Sequence, residues 1–379
     1  LDIDDLPAKV DLAAGGEQLH AEAPDNRAFD WSMGDEAATE AVFASAAHRV
    51  ALQVEDNRII VNTMEPRGCF ATWAEGRLQF TYGGQGVWAM KKQLSDKLGL
   101  ASEAVHVTTP DVGGGFGMKA MPYPEYFAVA HAARLLGRPV FWMSDRSEAM
   151  LSDNAGRDLT SLAELAFDAE LRITGYRVHS HCNLGAYNSH IGQPVQTQLF
   201  SRVLAGVYDI DTTWLRVEGI YTNTAQVDAY RGAGRPEATF VVERMMTTAA
   251  RQMGIDPAEL RRANFIQEFP HQTPVIMCYD AGDFGVSLDA ALAASDYANF
   301  EKRRKKSQRK GLLRGIGMSC YIEACGIAPS AAVGSLGAGV GLWESAEVRV
   351  NPVGTVEVLT GSHSHGQGHE TTFAQLVSA

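Results

Sequence analysis

The stretch Val112-Gly113-Gly114-Gly115-Phe116-Gly117-Met118-Lys119 decides how the rest of the chain is read. It follows a β-like run, Val105 to Thr109, and precedes a helical pattern, Tyr123 to Leu136. Four glycines around one aromatic residue make neither a packed core nor a good helix. Their use is to let backbone N–H and C=O groups come close to something flat and polar. A glycine loop between strand and helix also aims free N–H groups at an anion such as a phosphate. Two nucleotide signatures fail on spacing. The dinucleotide fingerprint needs Gly-x-Gly-x-x-Gly, whereas here glycines fall at 113, 114, 115 and 117, with methionine at 118. A P-loop needs Gly-Lys followed by Ser or Thr, and Lys119 stands between Met118 and Ala120.

The chain has 379 residues, 45% hydrophobic and 21% charged. That length can bury about two or three sizeable cores. A formal net charge of −12 argues against a nucleic-acid partner. The one basic run, Lys302 to Lys306 with Arg309 and Lys310, has no interleaved aromatics and reads as a solvated helix or linker. Five cysteines, at 69, 182, 278, 320 and 325, form no Cys-x-x-Cys pair. Neither a disulfide framework nor an iron–sulfur ligand set is visible, and a reducing cytoplasm is the expected compartment. No apolar run reaches membrane-spanning length. The chain opens on Leu1 and stops at Ala379 inside an early helical turn, so both ends read as cut and a fragment is expected.

Residues 1–50 are acidic and Ala-rich, with loop chemistry at Ala14-Gly15-Gly16 and Ala23-Pro24-Asp25-Asn26. Strands are expected over Arg58 to Thr63 and Leu78 to Tyr82, the second alternating apolar and polar residues. Gly84-Gln85-Gly86 then opens a helix with Val87, Met90, Leu94 and Leu98 on one face, ended by Gly99. A second helix ends at Gly137, and Val140 to Met143 is a strand. Residues 160–182 read as a hairpin turning near Asp168-Ala169. Arg177, His179 and His181 share one of its faces, which favours a solvated polar surface over a metal site. Strand Arg216 to Tyr221 leads into Ala229-Tyr230-Arg231-Gly232-Ala233-Gly234-Arg235-Pro236-Glu237-Ala238. Arginine forks beside bare glycine backbone suit phosphate or carboxylate binding. A helix is expected from Thr239 to Gln252.

The last segment repeats an earlier design. A hairpin, Glu347 to Val350 and Val356 to Leu359, delivers Gly366-Gln367-Gly368 to a helix start. Residues 84–94 and 366–376 align without a gap, matching at Gly84/Gly366, Gln85/Gln367, Gly86/Gly368, Gln93/Gln375 and Leu94/Leu376. Such a duplication suggests two related domains facing one ligand. His363, His365 and His369 lie near the second unit without a carboxylate or cysteine at ligand spacing. On these residues alone, a non-catalytic nucleotide- or phosphate-binding module remains an alternative to an enzyme.

Taken in order, Asn62-Thr63-Met64-Glu65-Pro66-Arg67, the Gly-Gln segment at 84–86, the Gly-Gly-Gly-Phe-Gly loop, the loop from Ala229 to Ala238 and the segment 366–368 resemble the large subunit of the molybdenum hydroxylases, the xanthine dehydrogenase and aerobic carbon monoxide dehydrogenase family. The resemblance implies a mixed α+β chain. Residues 1–50 would be the tail of an α/β hammerhead domain, 51–300 a first molybdopterin-binding domain and 301–379 the start of a second. The implied cofactor is molybdopterin with molybdenum, in bacterial members usually as the cytosine dinucleotide, with no protein side chain on the metal. Gln85 would hydrogen-bond a molybdenum oxygen. Gly115, Phe116, Gly117, Arg231, Gly232 and Ala233 would line the cofactor, with Gly366, Gln367 and Gly368 on its pterin or phosphate side. Family members move an oxygen from water onto an aldehyde or N-heterocycle. They pass electrons to iron–sulfur and FAD subunits, so a heterotrimer is implied. The family's general-base glutamate lies nearer the C-terminus than residue 379, and the chain alone is expected to be inactive. Two departures stand out. Gly232 occupies the place of a cysteine in the carbon monoxide oxidisers, and Ala120 and Ala233 replace a glutamate and an aromatic of the purine oxidisers.

Overall fold

The computed structural model describes residues 4, 6–323 and 344–379. Two sheets carry the fold. The larger has five strands in the spatial order Arg27–Gly34, Thr212–Tyr221, Ile173–Gly185, Leu159–Phe167 and His48–Asp56. Neighbours run antiparallel except the pair Ile173–Gly185 and Thr212–Tyr221, which is parallel. The smaller sheet has four, ordered Val105–Thr108, Arg77–Tyr82, Gly68–Ala74 and Val140–Met143.

Each sheet buries one face under helices placed by simple sequence signals. The helix Arg235–Met253 has Pro236 in its first turn, where a missing N–H costs nothing, and ends at Gly254 in the left-handed region. Its Val241, Val242, Met245, Met246 and Ala249 join the larger core with Val178, Leu165 and Phe167 of the sheet. Full burial of each Val or Met side chain contributes about 1.5–3 kcal/mol. The smaller sheet buries Leu78, Phe80 and Tyr82 against Met90 and Leu94 of helix Trp88–Leu98 and Tyr126, Val129 and Ala133 of helix Pro124–Leu136. Gly99 and Gly137 close those helices in left-handed conformation, as their positions in the sequence require.

A hairpin of Ala346–Val350 and Val356–Thr360, followed by helix His369–Ser378, forms the last unit. Its strands and helix contain no buried residue. Val350, Val353 and Leu376 are among its exposed apolar side chains.

Three expectations change. Residues 1–50 are not only the tail of a preceding domain: strand Arg27–Gly34, helix Glu36–Ser45 and strand His48–Asp56 belong to the larger sheet and its cover. A domain boundary after residue 50 would fall inside that last strand. The strand expected over Arg58 to Thr63 shortens to Ile59–Ile60. The helix expected from Thr239 begins at Arg235, because the arginine loop ends directly in its first turn. Cys325 lies outside the described residues. The basic run sits on helix Phe300–Gln308.

Arg67 joins the smaller sheet to its surroundings. Its side chain is fully buried, stacked 3.6 Å from the Tyr123 ring centroid, and paired with Asp153 and Glu125. Removing a guanidinium there leaves Asp153 without its counter-charge. Arg67→Ala is expected to lose about 3–5 kcal/mol, read as a lower urea midpoint. Arg67→Lys should recover little of it, since an ammonium neither forks nor stacks. A loss in Arg67→Ala below about 1 kcal/mol would contradict this account.

Candidate functional site

The glycine loop does not run straight into a helix. A single 3₁₀ turn, Met118–Ala120, intervenes before helix Pro124–Leu136. That helix's N-terminus therefore cannot serve as the expected anion cradle, and the loop's shape is set by its neighbours instead. Phe116 has φ +54, a conformation an aromatic side chain adopts only under external constraint, and its ring is 42% exposed.

Those neighbours are Gln85 and the arginine loop. Gln85 follows strand Arg77–Tyr82, and its main-chain N–H donates to Lys119 O at 3.2 Å. Its Oε1 accepts from Gly117 N–H at 2.9 Å, and the side chain fills the space a Cβ on Gly115 would need. Because a main-chain N–H can only donate, this bond fixes which end of the amide is oxygen. The Nε2 group donates to no other group among the described residues. On the other side, Arg231 N–H donates to Phe116 O at 3.0 Å. Gly117 has φ +96, and an added Cβ would stand 2.5 Å from Ala229 O. The two loops meet backbone to backbone, and only glycine permits it. The Arg231 guanidinium lies 5.8 Å from the Phe116 ring centroid and has no ion-pair partner among the described residues.

Two buried charges brace these loops. Lys119 is fully buried, with Nζ 2.8 Å from Glu65 Oε2, which also accepts from Gly113 N–H at 2.8 Å. Burial pulls the Lys119 ammonium below its ordinary pKa, and Glu65 opposes that pull. Behind the arginine loop, Arg157 donates to Tyr230 O at 3.0 Å, Arg231 O at 2.7 Å and Glu237 Oε1 at 3.1 Å. Glu237 is completely buried and its second oxygen has no hydrogen-bond partner among the described residues. Burial pushes its carboxyl above the usual range, with Arg157 acting against it.

The second Gly-Gln-Gly segment reaches the same region by its backbone. Val112 N–H donates to Ser364 O at 3.2 Å, and His363 Nε2 lies 2.9 Å from Pro110 O. The repeat is visible in conformation, with Gly86 at φ +99 and Gly368 at φ +80 before their helices. The glutamines differ, however. Gln367 folds back on its own loop, accepting from His365 N–H and donating to His363 O at 3.3 Å. Burial and then His363 hold His365 below the ordinary imidazole range.

Gln85, Gly115, Phe116, Gly117 and Arg231 thus form one surface, with Gly232 and Ala233 on the same arginine loop. The loop that leads into Gly366 and Gly368 reaches this surface through Ser364 O and the His363 ring, while the Gln367 amide is occupied locally. The reading of the sequence missed Glu65 with Lys119, and Arg157 with Glu237. Glu65 and Lys119 do stand inside quoted stretches, but nothing in their spacing marks them as a pair.

A family model described as molybdopterin cofactor-binding domain matches residues 19–265, and a second of the same description matches 290–379. The chain belongs to the molybdopterin cofactor-binding family. It is 34% identical to the carbon monoxide dehydrogenase large chain of Hydrogenophaga pseudoflava over 99% of this chain and 47% of that protein. It is 33% identical to the nicotine 6-hydroxylase large subunit of Paenarthrobacter nicotinovorans over 96% of this chain and 45% of that one. Among solved structures, quinoline 2-oxidoreductase from Pseudomonas putida 86 superposes with a TM-score of 0.89 at 30% identity, covering 99% of this chain and 48% of that chain. The chain therefore spans about half the length of these relatives. None of these three is a non-catalytic nucleotide- or phosphate-binding module. No helix among the described residues is long and apolar enough to cross a membrane.

The surface fits such a cofactor. Gln85 offers an amide donor and Arg231 a cation, neither with a side-chain partner among the described residues, and Phe116 offers a flat exposed ring. Gln85→Glu keeps the acceptor for Gly117 N–H and replaces the amide donor with a charged carboxylate oxygen, whereas Gln85→Ala removes both acceptor and donor. Gln85→Glu is expected to fold normally yet retain roughly tenfold less molybdenum by elemental analysis. Gln85→Ala should in addition show faster amide exchange over 113–117. Full molybdenum retention in Gln85→Glu would contradict this assignment.

Proposed function

We propose that this chain is the cofactor-holding part of the large subunit of a molybdenum hydroxylase acting on an aldehyde or N-heterocycle, with water as the oxygen source. The single observation that carries the substrate class is the backbone at Gly232. It has φ +95, and an added Cβ would stand 2.2 Å from Pro236 Cγ. A cysteine there is disfavoured by geometry and not merely absent from the sequence. Without a thiolate, this loop offers no soft ligand for Cu(I). The likeness to a carbon monoxide dehydrogenase large chain therefore supports the fold and cofactor, while the loop supports an organic substrate.

When bound, molybdopterin supplies a two-electron redox centre. The chain's own residues do the holding. Gln85 would present its Nε2 donor to an oxygen of the molybdenum. Phe116 walls the pocket, and its strained backbone is locked by Arg231 N–H. Arg231 would offer its cation to an anionic group of the cofactor and Gly366 to Gly368 would offer bare backbone, with Gln367 bracing that loop from within. Ala233 carries only a methyl group and leaves side-chain space for a ring-shaped substrate, whereas at Gly232 the side-chain position is filled by Pro236. The proton-accepting glutamate comes from the half of the relatives' length that this chain does not span. In this reading the cofactor is the cytosine dinucleotide form, electrons leave through iron–sulfur and FAD subunits, and the heterotrimer works in the cytoplasm.

The complete three-subunit complex is the material for the test. It is expected to hydroxylate members of a panel of aldehydes and N-heterocycles and to show no carbon monoxide turnover and no stoichiometric copper. Gly232→Cys should not gain carbon monoxide activity and should lower stability by about 1–3 kcal/mol through the forced backbone. Carbon monoxide turnover with one bound copper in the unaltered complex would overturn the proposal.

A further inference from the structure

The larger sheet carries a second cluster that the cofactor reading does not use. His179 and His181 are two residues apart on strand Ile173–Gly185 and project from the same face. Glu218, on the parallel neighbour Thr212–Tyr221, is the cross-strand partner of His181. His179 Nε2 lies 2.7 Å and His181 Nε2 3.1 Å from the same atom, Glu218 Oε2. The three potential ligand atoms all fall within 4.8 Å of one another. The Glu218 side chain is 6% exposed and the imidazoles 31% and 39%, so an ion could enter from solvent onto a carboxylate that is already fixed.

What fixes it is the other oxygen. Glu218 Oε1 is 3.0 Å from Arg27 Nε and 3.7 Å from an Arg216 nitrogen. Those guanidiniums do not make the pocket positive. Arg216 is paired with Asp30 at 2.6 Å, and Arg27 lies 3.7 Å from Asp25. Three carboxylates against two guanidiniums leave the neighbourhood at −1 while the imidazoles are neutral. Burial would raise the Glu218 carboxyl, but His179, Arg216 and Arg27 outweigh it and keep it ionised. Glu218 thus has one oxygen ion-paired to the guanidiniums and the other facing both imidazoles, an arrangement in which outer partners orient a metal-ligating carboxylate.

We propose that His179, His181 and Glu218 form a binding site for a divalent transition metal of the zinc class. Two imidazole nitrogens and one carboxylate oxygen suit zinc, cobalt or nickel and do not suit calcium or magnesium, which want oxygen ligands throughout. Tetrahedral zinc at bond lengths of about 2.0–2.2 Å sets its ligands roughly 3.3 Å apart, so each nitrogen draws back by a few tenths of an ångström from Glu218 Oε2 while rotation of the rings brings the two nitrogens, within 4.8 Å of each other, together. On binding, each Nε2 gives up its hydrogen. A neutral ring moves it to Nδ1, and an imidazolium releases one proton to solvent. Water completes the coordination. The ion would tie two parallel strands together, one of which continues into the arginine loop.

The test uses the purified protein, free of tags and dialysed against chelator, titrated with Zn²⁺ by calorimetry and with Co²⁺ by visible absorption. One ion per chain is expected, with a tetrahedral cobalt spectrum. Affinity should fall at least about tenfold in His179→Ala and in His181→Ala. Both histidines are partly exposed, so the variants should keep the wild-type circular dichroism, and that is measured alongside. Absence of saturable uptake at neutral pH, or uptake unchanged in both folded variants, would overturn the proposal. Neither outcome bears on the molybdenum reading, because none of the three residues touches the glycine or arginine loop.

Discussion

The contact between Gly117 and Ala229 governs the candidate site. With 2.5 Å between the position of a Gly117 Cβ and the Ala229 carbonyl oxygen, the two loops can close only over a residue without a side chain. Once closed, Arg231 N–H reaches Phe116 O, and Gly117 N–H is turned toward Gln85. Phe116 is thereby held at a positive φ it would not choose alone. One close approach thus positions the amide, the aromatic ring and the cation that make up the surface.

The surface stays in place because buried charge stands behind each loop. The Lys119–Glu65 pair anchors Gly113 from below, and Arg157 collects the carbonyls of Tyr230 and Arg231 while pairing with Glu237. Burying these groups is unfavourable on its own, and each is stable only because its partner and backbone acceptors are in register. Such networks gain little net stability but enforce one geometry, which is what a cofactor with several fixed contacts requires.

What could be read in the sequence follows from how local the signal is. Gly99, Gly137 and Gly254 mark helix ends because a left-handed cap needs only the residue itself. The glycine and arginine loops were legible for the same reason, and so was the repeated hairpin, Gly-Gln-Gly and helix. Strand Arg27–Gly34 was not, since its polar Asp30 and Ser32 find their partners only across to Arg216 and Glu218, almost two hundred positions away. Helix Glu36–Ser45 buries just Thr39 and Phe43, too few for a stripe. Glu65 with Lys119, Arg157 with Glu237, and the histidines with Glu218 are pairs made by topology, and no spacing rule reaches them.

The account stands most directly on whether the joined loops hold the cofactor. The measurement is the molybdenum and cytidine monophosphate content of the purified, intact protein beside that of Gly117→Ala, with amide exchange reporting on the larger sheet. The account predicts one molybdenum and one nucleotide per chain in the unaltered protein. It predicts loss of both together in the variant while the five-stranded sheet stays protected. Gly117→Ala retaining both in full, or an unaltered protein with neither, would contradict it.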